Sequence, residues 1–223
     1  MWQRRNVPRT TVHHPVFARL YARCYGPAAD RRAGVAALRD ELLAGVSGRV
    51  IEVGAGSGLN FARYPGTVSE VVAIEPEPTL REAARTAAAQ AEVPVDLVPG
   101  VAEALPVKSE AFDCAVVSLV LCSVRDARRA LAELRRVLRP GAELRFLEHG
   151  RAPGRGLAAV QWSLDHTVWP PLMGGCHTCR DPLAELRTAG FEVVRVRRLT
   201  VPERGPTLPW SPAVLGRARR PVG

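Results

Sequence analysis

The chain contains 223 residues, of which 47% are hydrophobic and 24% are charged. This composition is ordinary for a folded globular protein and excludes global disorder and fibrous repeats. The length fits one domain, with or without an appendage. The net charge is +9, but the arginines that carry it are scattered along the chain, so a nucleic-acid partner is not favoured.

The N-terminal segment carries Arg4, Arg5 and Arg9 without the apolar stretch of a signal peptide behind them. No apolar run of the sequence reaches the ~20 residues that a membrane-spanning helix needs. The sequence therefore predicts a cytoplasmic protein without a membrane anchor. It does not indicate an oligomeric state.

The five cysteines are an odd number, which argues against a disulfide framework. Cys176 and Cys179 form a Cys-x-x-Cys pair, but no second pair follows at the spacing of a zinc ribbon. We therefore predict no metal site.

Residues 12–46 have the pattern of two helices that precede the first strand. From residue 49 onward, short apolar runs alternate with helical patterns. Apolar strands that are covered on both faces are typical of parallel sheets, so this alternation predicts a doubly wound α/β fold. The five strands predicted in this way are 50–53, 71–74, 95–98, 114–117 and 144–147.

The clearest helical pattern lies between the fourth and fifth strands and stops at Arg139-Pro140-Gly141. Its apolar face contains Ala127, Ala130, Leu131, Leu134, Val137 and Leu138. After the fifth strand comes a long insertion, residues 150–175, which holds two of the four tryptophans. A connection of this length usually forms a binding wall or lid. We expect residues 1–47 to form a helical cap and residues 48–223 to form the main domain.

A glycine-rich turn, Gly54-Ala55-Gly56-Ser57-Gly58-Leu59-Asn60, follows the first strand. Glycine lets the backbone turn tightly and approach a ligand. Leu59 stands where a dinucleotide-binding turn would have its third glycine, and Glu52 just before the turn would repel a pyrophosphate. Because Glu52 would attract a cationic amino group, the turn favours a nucleoside that carries an amino acid.

Glu75 ends the second strand, about 20 residues after the turn. At this position an acidic side chain can accept hydrogen bonds from both hydroxyl groups of a ribose. The turn alone is a weak signal. Together with Glu52 and Glu75, it predicts a nucleoside site.

At these residues the chain resembles the class I S-adenosylmethionine-dependent methyltransferases, from about residue 48 to 198. The resemblance implies a Rossmann-like, seven-stranded, mostly parallel sheet with N-terminal helices and the insertion after the fifth strand. It implies that S-adenosylmethionine is the cofactor, with its amino group near Glu52, its ribose at Glu75 and its adenine beside the loop 100–106. The cofactor-binding residues that it implies are Glu52, Gly54, Ala55, Gly56, Gly58, Asn60, Glu75, Pro76, Ala102, Glu103, Ser118, Leu119 and Val120.

A narrower resemblance is to the methyltransferase-like thiol S-methyltransferases. It is carried by the segments 118–124, 136–141 and 146–149 and by Trp162, Leu164-Asp165, Gly175-Cys176 and Arg180. It implies a small-molecule acceptor, most readily a thiol. O- or C-methylation of a phenol or quinone is the alternative, and a cofactor-binding module without activity is a further one. The chain differs from the mammalian members in that we find no hydrophobic N-terminal anchor.

Methyl transfer to a thiol needs little chemical help, because a thiol with a pKa near ~8.5 is readily deprotonated by a nearby base. The catalytic candidates are His149, at the end of the fifth strand, and Asp165 and His166 in the insertion. The residues that we predict to contact the acceptor are Tyr21, Tyr25, Cys122, Trp162, Trp169 and Cys176.

Overall fold

The computed structural model describes residues 14–202 and 206–222. The N-terminal segment with Arg4, Arg5 and Arg9 lies outside the described residues. Seven strands form one sheet with the order β3-β2-β1-β4-β5-β7-β6. Strand β7 is antiparallel to both of its neighbours, and the other pairs are parallel. This confirms the prediction of a doubly wound, mostly parallel α/β fold. The strands are β1 (Gly48–Val53), β2 (Val68–Ile74), β3 (Val95–Val98), β4 (Phe112–Ser118), β5 (Leu138–His149), β6 (Glu192–Thr200) and β7 (Pro212–Arg219).

Helices cover both faces of this sheet. They are α1 (Pro15–Cys24), α2 (Pro27–Arg32), α3 (Val35–Leu43), α4 (Pro78–Ala89), α5 (Ala127–Val137), α6 (Arg155–Asp165), α7 (Trp169–Leu172) and α8 (Pro182–Thr188). Successive side chains of a strand point to opposite faces. In β1, Val50 therefore packs in a core with α3, whereas Ile51 and Val53 pack in a second core with α5 and α8. Glu52 shares the α3 face with Val50.

The prediction of two helices before β1 is wrong, because the described residues contain three. Pro27 opens α2 directly after the extended Gly26, and proline is well suited to the first turn of a helix. Gly34 has φ 75° and separates α2 from α3, since a left-handed residue cannot continue either helix. Residues 12 and 13 of the predicted segment lie outside the described residues.

Helix α5 confirms the predicted apolar face, with Ala130, Leu131 and Leu134 fully buried. The helix ends one residue earlier than predicted, because Leu138 already pairs with Phe112 as the first residue of β5. Between Leu138 and Glu143 the pairing of β5 with β4 shifts register. The predicted turn around Pro140 is therefore an irregular stretch inside a long strand, as expected where proline removes a ladder hydrogen bond.

The insertion after β5 contains α6 and α7 and returns to the sheet through α8. None of the helices in residues 14–202 and 206–222 is long and apolar enough to cross a membrane. The parallel strands β1, β2, β4 and β5 end at one edge of the sheet, which is where open α/β sheets bind ligands.

Candidate active site

A cavity of about 530 Å³ lies at this carboxyl edge. Its floor consists of the segments that follow β1, β2, β4 and β5, and its other walls come from α1, α3 and the segment around α7. The sheet thus brings residues from distant parts of the chain to one space. The volume is in the range of pockets that hold small molecules and cofactors.

The turn after β1 approaches the loop after β4 so closely that a side chain at Gly54 does not fit. Gly54 has φ 73°, and a Cβ there would lie 2.4 Å from Val120 Cγ2. The amide of Gly56 points to the end of β2 and donates to Glu75 Oε2 at 2.8 Å. Both glycines line the cavity.

Glu75 is fixed by the backbone on both sides. Besides the bond from Gly56, its Oε1 accepts from the Glu77 amide at 2.9 Å. Burial raises the pKa of Glu75, and these two hydrogen bonds partly offset the effect. Each carboxylate oxygen keeps an unused lone pair. The group can therefore still accept hydrogen bonds from the hydroxyl groups of a ligand in the cavity.

Glu52 lies behind the turn rather than in the cavity wall. It is 2% exposed, and it accepts hydrogen bonds from Asn60 Nδ2 and from the Tyr64 hydroxyl, both at 2.8 Å. Burial raises its pKa to about 7, although both hydrogen bonds and the Arg39 guanidinium lower it. Glu52 is therefore a carboxylate that a nearby cation would stabilise in its ionised form.

Arg39 is the cation next to this carboxylate, and it does line the cavity. Its Nε donates to Asp30 Oδ1 at 3.1 Å, and its Nη1 donates to Asn60 Oδ1 and Ser118 Oγ, each at 3.0 Å. One side chain thus connects α2, α3, the glycine turn and the end of β4. Because Arg39 is only 5% exposed, its charge acts in a partly desolvated environment and interacts strongly with anions.

The loop after β4, residues 119–124, is held in place by one buried carboxylate. Glu148 is fully buried and accepts from the amides of Val120 and Leu121 at 2.9 Å and of Cys122 at 3.4 Å. Burial raises the pKa of Glu148 to about 7, against the effect of these hydrogen bonds. On the other side of the loop, Arg180 donates to the carbonyl groups of Leu121 and Val124.

Cys122, His149 and Cys176 form a sulfur–imidazole cluster in the cavity wall. Their ligand atoms all lie within 4.8 Å of one another, and His149 Nδ1 is 3.5 Å from Cys176 Sγ. Hydrogen bonding from the Cys122 thiol and from His149 lowers the pKa of Cys176 against the effect of burial. The hydrogen bond with Cys176 raises the pKa of Cys122. Burial would lower the pKa of His149, but the contact with the Cys176 sulfur raises it.

Aromatic side chains form the remaining walls. In α1, Tyr21 lies between Phe17 and Tyr25, with ring centroids 5.5 Å and 4.9 Å away. Trp169 of α7 stacks on Trp210 at 4.7 Å. These five residues all line the cavity, so a ligand at this end meets mainly apolar, flat surfaces.

Most of the residues predicted for the site come together in this cavity. The predicted residues that line it are Tyr21, Tyr25, Gly54, Gly56, Glu75, Pro76, Ala102, Glu103, Ser118, Leu119, Val120, Cys122, His149, Trp169 and Cys176. Glu52, Ala55, Gly58 and Asn60 do not line it but shape the glycine turn, for example through the bond from Asn60 to Glu52.

The structure does not bring Trp162, Asp165 and His166 to the cavity. Trp162 is 59% exposed on α6, and the ring of His166 lies against it in a tilted arrangement, with the centroids 4.3 Å apart. The Asp165 carboxylate is buried below the next loop, where it accepts from the amides of Thr178 and Cys179 at 2.8 Å. None of the α6 residues 155–165 lines the cavity, and neither does His166, which follows the helix.

Sequence reasoning missed the polar residues Arg39, Tyr64 and Glu148 and the aromatic wall residues Phe17 and Trp210. Glu148 carried a usable signal, because it is an acidic residue at the end of an apolar strand, as Glu52 and Glu75 are. Arg39 carried none, since it is one of 31 lysines and arginines that are spread along the chain.

The model of the methyltransferase domain family matches residues 51–146. Thiol S-methyltransferase TMT1B from Mus musculus is 31% identical over 224 residues, which cover 97% of this chain and 88% of that protein. Ubiquinone/menaquinone biosynthesis C-methyltransferase UbiE from Syntrophotalea carbinolica is 32% identical over 149 residues, which cover 65% of this chain and 62% of that protein.

Solved structures of S-adenosylmethionine-dependent methyltransferases have the same fold. The one from Thermotoga maritima superposes with a TM-score of 0.66 at 24% identity, covering 92% of this chain and 98% of that one. This likeness concerns the fold alone.

Replacing Glu52 with glutamine should change how stability depends on pH. Burial raises the pKa of Glu52 from 4.5 to about 7 in the folded chain, so the folded state holds this proton more tightly than the unfolded state. Ionised Glu52 therefore costs stability; the cost is absent below pH 4.5, grows up to about pH 7 and is complete above it.

Urea unfolding of the wild type and of Glu52→Gln across this range measures the effect. The free energy of unfolding of the variant, relative to the wild type, should rise with pH by at most about 1.4 kcal/mol per unit. A difference that does not change with pH would show that the two states hold this proton equally tightly.

Proposed function

Because the chain belongs to the class I S-adenosylmethionine-dependent methyltransferases, in the family that includes thiol S-methyltransferase TMT1B, we propose that it methylates a small, apolar thiol. The observation that carries this proposal is that a single cavity joins the glycine turn and Glu75 to the sulfur–imidazole cluster. One end has the charged groups that a nucleoside with an amino acid needs. The other end is apolar and contains soft ligand atoms.

The charged end fits S-adenosylmethionine. Arg39 lines the cavity and would pair with the carboxylate of the amino acid. Glu52, behind the turn, would favour the ammonium group through its charge rather than through a contact in the cavity wall. Glu75 would hold the ribose through its unused lone pairs. Ala102 and Glu103, which also line the cavity, would lie beside the adenine.

When bound, S-adenosylmethionine supplies a methyl group that is already activated on a sulfonium sulfur. The chain must then orient the acceptor and exclude water, which is proximity and orientation work. The loop 119–124 contributes to the cavity wall, and its position is fixed by Glu148. The aromatic residues of α1 and α7 would cover the acceptor, and His149, the one catalytic candidate in the cavity wall, would face the reacting sulfur.

A second candidate function is C-methylation of a quinone-type ring, supported by the likeness to UbiE. Flat aromatic walls would suit such a ring as well. The name of TMT1B and the sulfur–imidazole cluster favour the thiol. A small-molecule acceptor rather than a nucleic acid, and a cytoplasmic location, stay predictions from the sequence.

Glu75→Ala should weaken binding of S-adenosylhomocysteine, the cofactor product, by about ten- to a hundredfold. The substitution removes charge-assisted hydrogen bonds worth about 1.5–3 kcal/mol. Isothermal titration calorimetry measures the affinity. Glu82→Ala is the matched control, because Glu82 lies on α4 in an exposed ion pair with Arg85. If Glu75→Ala and Glu82→Ala bind S-adenosylhomocysteine with equal affinity, Glu75 does not contact the cofactor.

The acceptor is tested with matched pairs that differ in the reacting atom. With labelled cofactor, thiophenol should be methylated, whereas phenol and a substituted hydroquinone should not. Trp169→Ala should raise KM for the thiol by about tenfold, because ~50 Å² of contact at ~25 cal/mol per Å² is lost. Affinity for S-adenosylhomocysteine should not change.

Trp162→Ala is the control for this variant, since Trp162 belongs to the same insertion but is exposed outside the cavity. It should keep the wild-type KM. Methylation of the hydroquinone in place of the thiol would establish the second candidate. An equal rise in KM for both tryptophan variants would mean that the acceptor lies elsewhere.

A further inference from the structure

The sulfur–imidazole cluster combines two thiols and one imidazole that are far apart in the sequence. Cys122 belongs to the loop after β4, His149 ends β5, and Cys176 follows the insertion. Cys122 and Cys176 are 3% and 7% exposed. Sulfur and imidazole ligands in a partly desolvated pocket are the ligands that Zn²⁺ prefers in proteins.

The distances suit a tetrahedral metal. With Zn–N and Zn–S bonds of ~2.1 and ~2.3 Å, a nitrogen and a sulfur ligand lie ~3.6 Å apart, and two sulfurs lie ~3.8 Å apart. His149 Nδ1 and Cys176 Sγ are 3.5 Å apart. Since every pair of ligand atoms is within 4.8 Å, rotamer adjustments of about 1 Å or less would complete the set.

Buried carboxylates fix both loops that supply the thiols. Glu148 accepts the amides of the loop that carries Cys122. Asp165 accepts the amides of Thr178 and Cys179 just after Cys176. Such outer contacts hold metal ligands in position. This gives Asp165, which does not reach the cavity, a role as a positioning residue.

We propose that Cys122, His149 and Cys176 bind one Zn²⁺ ion and leave its fourth position open to the cavity. Three protein ligands with one open position are the arrangement of catalytic rather than structural zinc sites. The open position takes the sulfur of the acceptor. This last step rests on the proposed thiol acceptor, whereas metal binding does not. His149 then serves as a ligand instead of a free base.

The zinc ion would promote deprotonation of the acceptor thiol. A thiol that coordinates zinc is deprotonated, and its proton passes to solvent. A lone pair of the coordinated acceptor sulfur then forms the new S–C bond. The sulfonium–methyl bond breaks with its electron pair on the departing sulfur. The products are two neutral thioethers, S-adenosylhomocysteine and the methylated acceptor, and the thioether product is a weaker zinc ligand that leaves the site.

The experiment uses the full chain, purified under reducing conditions and dialysed against metal-free buffer. Zinc is measured by mass spectrometry, and Co²⁺ replaces it for absorption spectra that report thiolate ligands. The wild type should hold about one zinc per chain. Cys122→Ser and Cys176→Ser should bind at least about tenfold more weakly. Cys179→Ser is the matched control and should bind as the wild type does, because Cys179 lies outside the cluster.

Binding of S-adenosylhomocysteine verifies that each variant is folded. Addition of thiophenol should change the Co²⁺ spectrum of the wild type, whereas phenol should leave it unchanged. A wild type that is folded and retains no metal, or equal zinc in all three cysteine variants, overturns the site. A Cys122–Cys176 disulfide formed in place of metal binding overturns it as well. Thiol methylation by metal-free protein would reject the zinc site as part of the reaction and keep the proposed thiol methyltransferase function. Bound zinc without thiol methylation would keep the zinc site and reject the proposed function.

Discussion

The bond between Glu148 and the loop after β4 is the interaction on which the whole site depends. Leu119 has φ 60°, a conformation that costs a residue with a side chain about 1 kcal/mol or more. The loop holds this conformation because the Glu148 carboxylate accepts hydrogen bonds from the N–H groups of the next three residues. Without that acceptor, buried N–H groups would be left unpaired, at about 1–3 kcal/mol each. The strain at Leu119 is thus maintained by a carboxylate on the neighbouring strand.

This loop contacts both the glycine turn and the sulfur–imidazole cluster. Its Val120 packs so close to Gly54 that only glycine fits there, which sets the position of the glycine turn. Two residues later, Cys122 joins the sulfur–imidazole cluster. Parallel pairing of β4 with β1 and β5 places all these segments at one edge of the sheet. A shift of the loop would therefore disturb the charged end and the apolar end together.

The parts of this account that the sequence predicted are those with a local pattern. The apolar runs predicted the first five strands. The nucleoside site predicted from Glu52, the glycine turn and Glu75 rests on residues that lie close together in the chain, and it stays a prediction. The partners of Cys176 could not be found in this way. Its neighbour in sequence is Cys179, but the fold pairs it with Cys122 and His149. Asp165 and His166 were catalytic candidates from sequence, but neither lines the cavity, because no residue of α6 does.

The central claim is that the charged end and the sulfur–imidazole cluster serve one reaction across the loop 119–124. A crystal structure of the chain with S-adenosylhomocysteine tests this most directly. The account predicts that the ribose hydroxyl groups contact Glu75 and that the thioether sulfur faces Cys122 and His149 across the cavity. A ligand whose sulfur points away from the cluster, or one bound outside this cavity, would contradict it.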